Sequence, residues 1–298
     1  MKYSITLASF RKIEPVEETI ARLAPQGFDA VEMYGEPDEA DIKGLKDALS
    51  TTGLKVCGVT GMWGRASRQG RMRKLLSADQ SRVSAAEKYV EGCVRMCSEL
   101  GGSVMNVCLF ADDDCDDSGG SGGGGGGGNS VRDLFERTHG TIAAEEKRRV
   151  AWRALPVLSR LCSYAADNGV TLALEPLNRY STPYCATAAD ALAVADRVEK
   201  LGILLDTFHM NIEEDSFEGA IAACRGRLVH THFADNNRKM PGFAHIDFKA
   251  IVSGLQGIGY GGYVSFEPNI ADKNYEHATK RGLELVKNIE KEKGRSSP

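Results

Sequence analysis

The chain has 298 residues, 42% of them apolar and 26% charged, an ordinary globular composition that excludes a wholly disordered or fibrous chain. That length can bury a large core, and an α/β barrel of ~250 residues counts as one domain. A net charge of −4 and the lack of any ~18-residue apolar run argue against an electrostatic nucleic-acid partner and against a membrane span.

Short apolar runs alternate with longer stretches of helical period from the first residues onward. Residues 4–10 read as a strand and 16–23 as the start of a helix. A strand over 28–33 and a helix over 39–49, closed by Gly53, follow. A strand over 54–60 precedes a long amphipathic helix over 84–100, which stops at Gly101-Gly102. Residues 104–110 read as a strand, 144–166 as one helix closed by Asn168-Gly169, and 170–175 as a strand. The pattern continues with a helix over 188–198, a strand over 203–208, a short helix over 217–224 and a strand over 228–233. It closes with a helix over 248–255, a strand over 263–267 and a last helix over 275–289.

Eight strands and eight helices in strict alternation imply parallel strands with right-handed crossovers. The fold class predicted is α/β, a single (β/α)8 TIM barrel over residues 1–298. An open doubly wound sheet is the weaker competitor, because no GxGxxG follows the first strand. Residues 111–130 stand outside the repeat: Asp112-Asp113-Asp114-Cys115-Asp116-Asp117 leads into Ser121 and seven consecutive glycines. They read as a flexible, low-complexity acidic and Gly-rich insertion after strand four, a solvated loop more than a cation site. Eight scattered cysteines with no CxxC pair read as buried free thiols. Together with an N-terminus that lacks the pattern of a signal peptide, they make the cytoplasm the expected location.

In a parallel barrel the active site lies at the C-terminal ends of the strands. Four consecutive predicted strands each end on a ligand-type side chain: Glu175, Asp206, His232 and Glu267. Any one of them has a structural alternative, such as a Glu175–Arg179 ion pair or a helix cap at Asp206. Four on neighbouring strands form a shared negative site that is costly without a cation. Two glutamates, an aspartate and a histidine suit Mn²⁺, Mg²⁺ or Co²⁺ better than a structural zinc.

The segments Leu174-Glu175-Pro176-Leu177-Asn178-Arg179-Tyr180, Leu205-Asp206-x-x-His209, His232-x-x-Asp235-Asn236-Asn237-Arg238 and Phe266-Glu267-Pro268 resemble the xylose isomerase-like TIM-barrel superfamily. The similarity is to its sugar (phosphate) isomerase/epimerase branch, which includes tagatose/psicose 3-epimerases and hydroxypyruvate isomerases. The resemblance implies that Glu175, Asp206, His232 and Glu267 bind one divalent metal ion, Mn²⁺ first and Mg²⁺ or Co²⁺ as alternatives. It also implies that His209 and Arg238 hold substrate oxygens. Glu175 and Glu267 would be the catalytic acid/base pair, exchanging a proton with an enediolate stabilised by the metal as Lewis acid. The substrate implied is a small sugar, keto-sugar or sugar phosphate, with no nucleic-acid or membrane partner and a homodimer or homotetramer left open.

The epimerases carry a further glutamate six residues past the first metal glutamate, where this chain has Ser181. Trp63, after strand three, is a candidate apolar wall of the sugar site. Glu32, at the end of strand two, is a candidate substrate-pocket residue, with an ion pair inside the barrel as its alternative. Arg65, Arg68, Arg71, Arg73 and Lys74 form a basic loop that would meet a phosphate or remain solvated. A dehydratase of the same superfamily, acting on an inosose or dehydroshikimate, is the alternative function. An endonuclease IV-like nuclease is disfavoured, because strands three and four end without histidine. A non-catalytic sugar-binding protein is disfavoured by the retained glutamates and Arg238.

Overall fold

The computed structural model describes residues 1–62, 73–112 and 143–294. Eight parallel strands close into a barrel in sequence order: β1 (Lys2–Thr6), β2 (Ala30–Tyr34), β3 (Lys55–Thr60), β4 (Val104–Val107), β5 (Thr171–Leu174), β6 (Gly202–Asp206), β7 (Leu228–Phe233) and β8 (Tyr263–Phe266), with β8 paired to β1. The helices outside it are α1 (Val16–Leu23), α2 (Ile42–Thr52), α3 (Gln80–Glu99), α4 (Ala144–Ala151), α5 (Leu155–Asp167), α6 (Ala188–Ala195), α7 (Thr207–Glu213), α8 (Phe217–Ala223), α9 (Phe248–Gly257) and α10 (Glu276–Gly294). The closed (β/α)8 barrel read from the alternation is present. Trp63, the arginines at 65, 68 and 71, and all of the acidic and Gly-rich insertion beyond Asp112 lie outside the described residues.

Local chemistry moved several boundaries. Asp41 caps α2 by accepting the Gly44 N–H, so that helix begins after the predicted start. Asp79 caps α3 by accepting from Ser81 N–H and starts it four residues early. The single helix expected over 144–166 is two helices joined by a 3₁₀ turn at Trp152–Ala154. Pro156, in the first turn of α5, supplies the reason: it has no N–H and its ring crowds the carbonyl four residues back, so the preceding turn tightens. The strand predicted over 203–208 stops at Asp206. There Asp206 accepts the Phe208 N–H and caps α7, a helix the sequence reading missed.

The main core lies between sheet and helices. Inside the barrel, the layer beneath the mouth is polar instead of branched aliphatic. Ser4, Glu32, Cys57, His230 and Ser265 are all buried, with Cys57 Sγ 3.3 Å from Ser4 Oγ. The seven described cysteines are buried and free, as expected. No described helix is long and apolar enough to cross a membrane.

The seam between α1 and the C-terminal helix is closed by Glu14. Its buried carboxylate accepts from Arg22 Nη1 (2.7 Å), Thr19 Oγ1 (3.3 Å) and the Tyr275 hydroxyl. Burial pushes this carboxyl up, but the hydrogen bonds from Tyr275 and Arg22 outweigh it and hold it below the usual glutamate range. A depressed folded-state pKa contributes stability above the unfolded pKa of about 4.3 and loses it as pH falls through the folded value. E14Q should therefore lower stability at pH 7 by about 1–3 kcal/mol. The gap to wild type should narrow as the pH is taken below the unfolded glutamate value, which denaturant melts at pH 7 and pH 3 would read directly.

Candidate active site and metal centre

The four predicted ligands converge at the mouth of the barrel. One donor atom from each of Glu175, Asp206, His232 and Glu267 lies within 4.8 Å of every other. Strand register produces this convergence. On β6 and β7, Ile203 pairs with Leu228, but a one-residue bulge follows, so Leu204 pairs with His230 and Asp206 with His232. Without the bulge Asp206 would lie beside Thr231, whose side chain alternates to the opposite face. Glu175 and Glu267 each sit one residue past a strand, yet their backbone N–H groups extend the ladders, to Val107 O (2.9 Å) and Phe233 O (3.0 Å).

Each ligand is held by a separate device. Glu175 Oε2 accepts from Asn106 Nδ2 at 2.6 Å and lies 3.7 Å from Cys108 Sγ. Its Oε1 is 3.7 Å from His232 Nδ1. His232 is fully buried. Its Nε2 faces the Glu32 carboxylate at 3.1 and 3.3 Å, and its Nδ1 lies 3.1 Å from Glu267 Oε2. That Nδ1 makes no hydrogen bond. A buried ring nitrogen with no hydrogen-bond partner, aimed at three carboxylates, is the arrangement a divalent cation fits. The set of carboxylate oxygens plus one imidazole matches a hard or borderline ion.

The electrostatics agree. Burial raises the Asp206 carboxyl against the opposing pull of Arg238. Burial also pushes Glu267 up, but Arg238 and His232 overcome it and hold its carboxyl at about 2. Burial lowers the His232 imidazole, and Glu32 and Glu267 outweigh that and raise it well above its usual value. The cluster therefore draws positive charge from every available source.

Arg238 supplies part of it. Its guanidinium donates to Asp206 and Glu267 and lies over the Phe208 ring at 4.9 Å. Its backbone sits at φ +58°, the left-handed region, which costs an L-residue about 1–2 kcal/mol. The loop that enforces this is built on Asp235, which is fully buried. Its Oδ1 accepts from the N–H groups of Asn236 (3.0 Å) and Ile246 (3.0 Å), and its Oδ2 from Gly242 (3.0 Å) and Ala244 (2.9 Å). Arg238 N–H donates to Asp235 O at 2.8 Å, and Asn269 N–H donates to Arg238 O at 2.6 Å. Backbone strain held at a functional side chain is a recognised pattern of pre-organisation.

His209 lies in the first turn of α7. Asn178 Oδ1 accepts the Tyr180 N–H at 3.0 Å, so the amide turns Nδ2 to His209 Nδ1 at 2.7 Å. Nδ1 must then accept, and the ring proton resides on Nε2, 3.8 Å from Asp206 Oδ2. Burial lowers the imidazole's pKa, keeping the ring neutral. His209 is thus set as a neutral donor. A cavity of about 180 Å³ opens above the ligands, lined among others by Asn106, Phe110, Ser181, His209 and Arg238.

One candidate pocket residue and one structural alternative are placed elsewhere. Glu32 lies beneath the cluster at 1% exposure, its carboxylate facing His232 Nε2 (3.1 Å) and His230 Nε2 (3.3 Å), and it is not among the residues that line the cavity. Glu175 does not pair with Arg179, which is bonded to Glu213 at 2.9 Å instead. In the basic loop, Arg73 is committed to Glu36 (2.8 and 3.3 Å) and stacks 3.6 Å over Tyr89. Sequence reasoning missed Asn106 and Asn178. Asn106 left a signal, a lone amide in the apolar run Val104-Met105-Asn106-Val107. It holds both Glu175 and the Gly61 N–H.

Comparison with known proteins identifies the family. Residues 20–289 match the family model described as xylose isomerase-like TIM barrel. The chain is 30% identical over 271 residues to the L-ribulose 3-epimerase of Mesorhizobium japonicum, covering 89% of this chain and 80% of the relative. It is 29% identical over 276 residues to the 3-dehydro-D-guloside 4-epimerase of Escherichia coli, covering 91% and 93%. A solved D-psicose 3-epimerase with D-tagatose, from Clostridium cellulolyticum, superposes with a TM-score of 0.78 over 97% of this chain and 99% of that one; at 24% identity it speaks for the fold. The chain belongs to the xylose isomerase-like TIM-barrel family, in its sugar isomerase/epimerase branch.

Proposed function

We propose that this enzyme epimerises an unphosphorylated ketose or keto-glycoside at the carbon next to the carbonyl, with Mn²⁺ as its preferred ion. The observation that carries the reading is the pair of glutamates just past the ends of β5 and β8, on either side of β6 and β7, with donor atoms inside one 4.8 Å cluster that also faces the cavity. A divalent ion held by Glu175, Asp206, His232 and Glu267 supplies Lewis-acid polarisation of the substrate carbonyl. One glutamate takes the α proton and the other returns a proton to the same carbon from the opposite side, inverting it. His209 Nε2–H and the Arg238 guanidinium hold substrate oxygens. Phe110 excludes water from one side.

The unphosphorylated class is supported by the charge inventory. Among the described residues, the cavity lining presents one guanidinium or ammonium group, Arg238, and it is bonded to Asp206 and Glu267. Arg73 is bonded to Glu36. The relatives' names support epimerisation of a keto-sugar, and the full-length match to a 3-dehydro-guloside enzyme supports including glycosides. The test is a panel of free ketoses, 3-keto-glycosides, ketose phosphates and hydroxypyruvate in D₂O. A product of unchanged connectivity carrying one solvent deuterium at the inverted carbon is expected from the first two groups. Loss of water from the substrate would replace epimerisation by the dehydratase reading, and turnover confined to phosphates would overturn the substrate class. Chelation should abolish turnover and Mn²⁺ should restore it; full activity in protein shown by elemental analysis to be metal-free would overturn the metal reading.

A further inference from the structure

Glu32 has no part in the chemistry above, yet it is one of the most deeply buried carboxylates in the molecule. It extends from β2 across the barrel interior to β7, three strands away around the sheet. No solvent reaches it, since Glu32, His230 and His232 are each at most 1% exposed. Both histidines turn Nε2 to its oxygens: His232 at 3.1 and 3.3 Å, His230 at 3.3 Å. The two rings stand nearly perpendicular, at 83°, with centroids 5.3 Å apart, so each presents a ring edge to the carboxylate.

An imidazole can ligate through Nδ1 only if that nitrogen keeps its lone pair. The ring proton must then sit on Nε2, and in a dry interior it needs an acceptor. Glu32 is the carboxylate within reach of His232 Nε2 on the side away from the ligand cluster. We propose that Glu32 is a positioning residue for the metal centre: it accepts the Nε2 proton of His232 and thereby fixes ring orientation and tautomer, leaving Nδ1 as the lone-pair donor among Glu175, Asp206 and Glu267. His230 acts one step further back, as a second donor that holds the Glu32 carboxylate in place. His230 and His232 are two residues apart on one strand and so face the same interior. This inference rests on the metal-centre reading above.

The test is calorimetric titration of Mn²⁺, and separately Co²⁺, into metal-free wild type, E32Q and H230Q at one pH. Thermal melts of the metal-free proteins report whether each variant is folded. Wild type should bind one ion per chain. E32Q should bind it about 10–100-fold more weakly while melting cooperatively. H230Q keeps the Glu32–His232 contact and should lose much less affinity. Unchanged affinity in E32Q overturns the proposal, and so does an equal loss in H230Q, which would assign the effect to general packing of the interior.

Two ions per wild-type chain, one of them lost in E32Q, would also overturn it. The group Glu32, Cys57 and His230, which is close enough to share an ion, would then be a ligand set in its own right. A wild type that binds no ion at all would instead refute the metal-centre reading on which the inference stands. If E32Q is unfolded, E32D replaces it: withdrawal of the carboxylate by one methylene should still weaken binding, and wild-type affinity there overturns the proposal.

Discussion

Replacing Glu175 or Glu267 by glutamine should each reduce turnover by about 10²–10⁴-fold, because an amide cannot carry the proton that a carboxylate transfers. The two variants should differ in metal affinity for a geometric reason. Glu267 Oε2 faces both Arg238 and His232 Nδ1, so in E267Q the amide oxygen satisfies the guanidinium and still points into the cluster. Glu175 divides its oxygens: Oε2 accepts from Asn106 Nδ2, while Oε1 faces His232. In E175Q the amide oxygen is claimed by Asn106 and the NH₂ turns towards the ligands, so E175Q should bind the ion more weakly than E267Q. Single-epimer substrates in D₂O would separate the proton-transfer roles. Loss of the abstracting glutamate should stop washout of the α proton, and loss of the returning one should leave washout while blocking product. Near-wild-type turnover by both variants with the ion bound would refute the two-glutamate mechanism.

Asp235→Ala should be the most damaging change outside the ligand set. Asp235 accepts four backbone N–H groups from the loop that carries Arg238, and its removal leaves all four without that acceptor, the Ile246 N–H in a buried setting and the other three part-buried. At roughly 1 kcal/mol for each lost bond, the destabilisation should be about 4 kcal/mol. Asp235→Asn, which keeps one acceptor oxygen, should cost about half as much on the same reckoning. The functional effect is separate from the loss of stability. The left-handed backbone at Arg238 is held by this loop and by Asn269, and relaxation there moves the guanidinium off the cavity. A displacement of about 1 Å at a catalytic centre costs on the order of 10²-fold, so kcat/KM of the folded fraction of Asp235→Asn should fall by that order. Denaturant melts combined with kinetics below the melting range would measure the two effects apart; wild-type kcat/KM in Asp235→Asn would show that Arg238 does not depend on the loop.

Much of the site was legible in the sequence because the barrel places function at a fixed position along each repeat. Once β5 to β8 are recognised by their apolar runs, the residues ending them must share one mouth, and Glu175, Asp206, His232 and Glu267 follow from that alone. Period-two alternation likewise puts His230 on the same face as His232. Pattern along the chain is therefore enough for the alternation of elements, the closed barrel and the set of strand-end side chains that meet at its mouth. The rest depends on long-range contacts that leave no local signature. The bulge after Ile203 sets Asp206 beside His232 instead of Thr231, a register choice invisible along either strand. Glu32 reads as one more strand-end carboxylate, and only closure of the barrel shows that it spans the interior to two histidines on β7. Arg73, which looked available for a phosphate, is held by Glu36 across 37 residues of chain. Local pattern fixes which face a side chain takes; its partner on that face is set by which strands the closed sheet brings across from it.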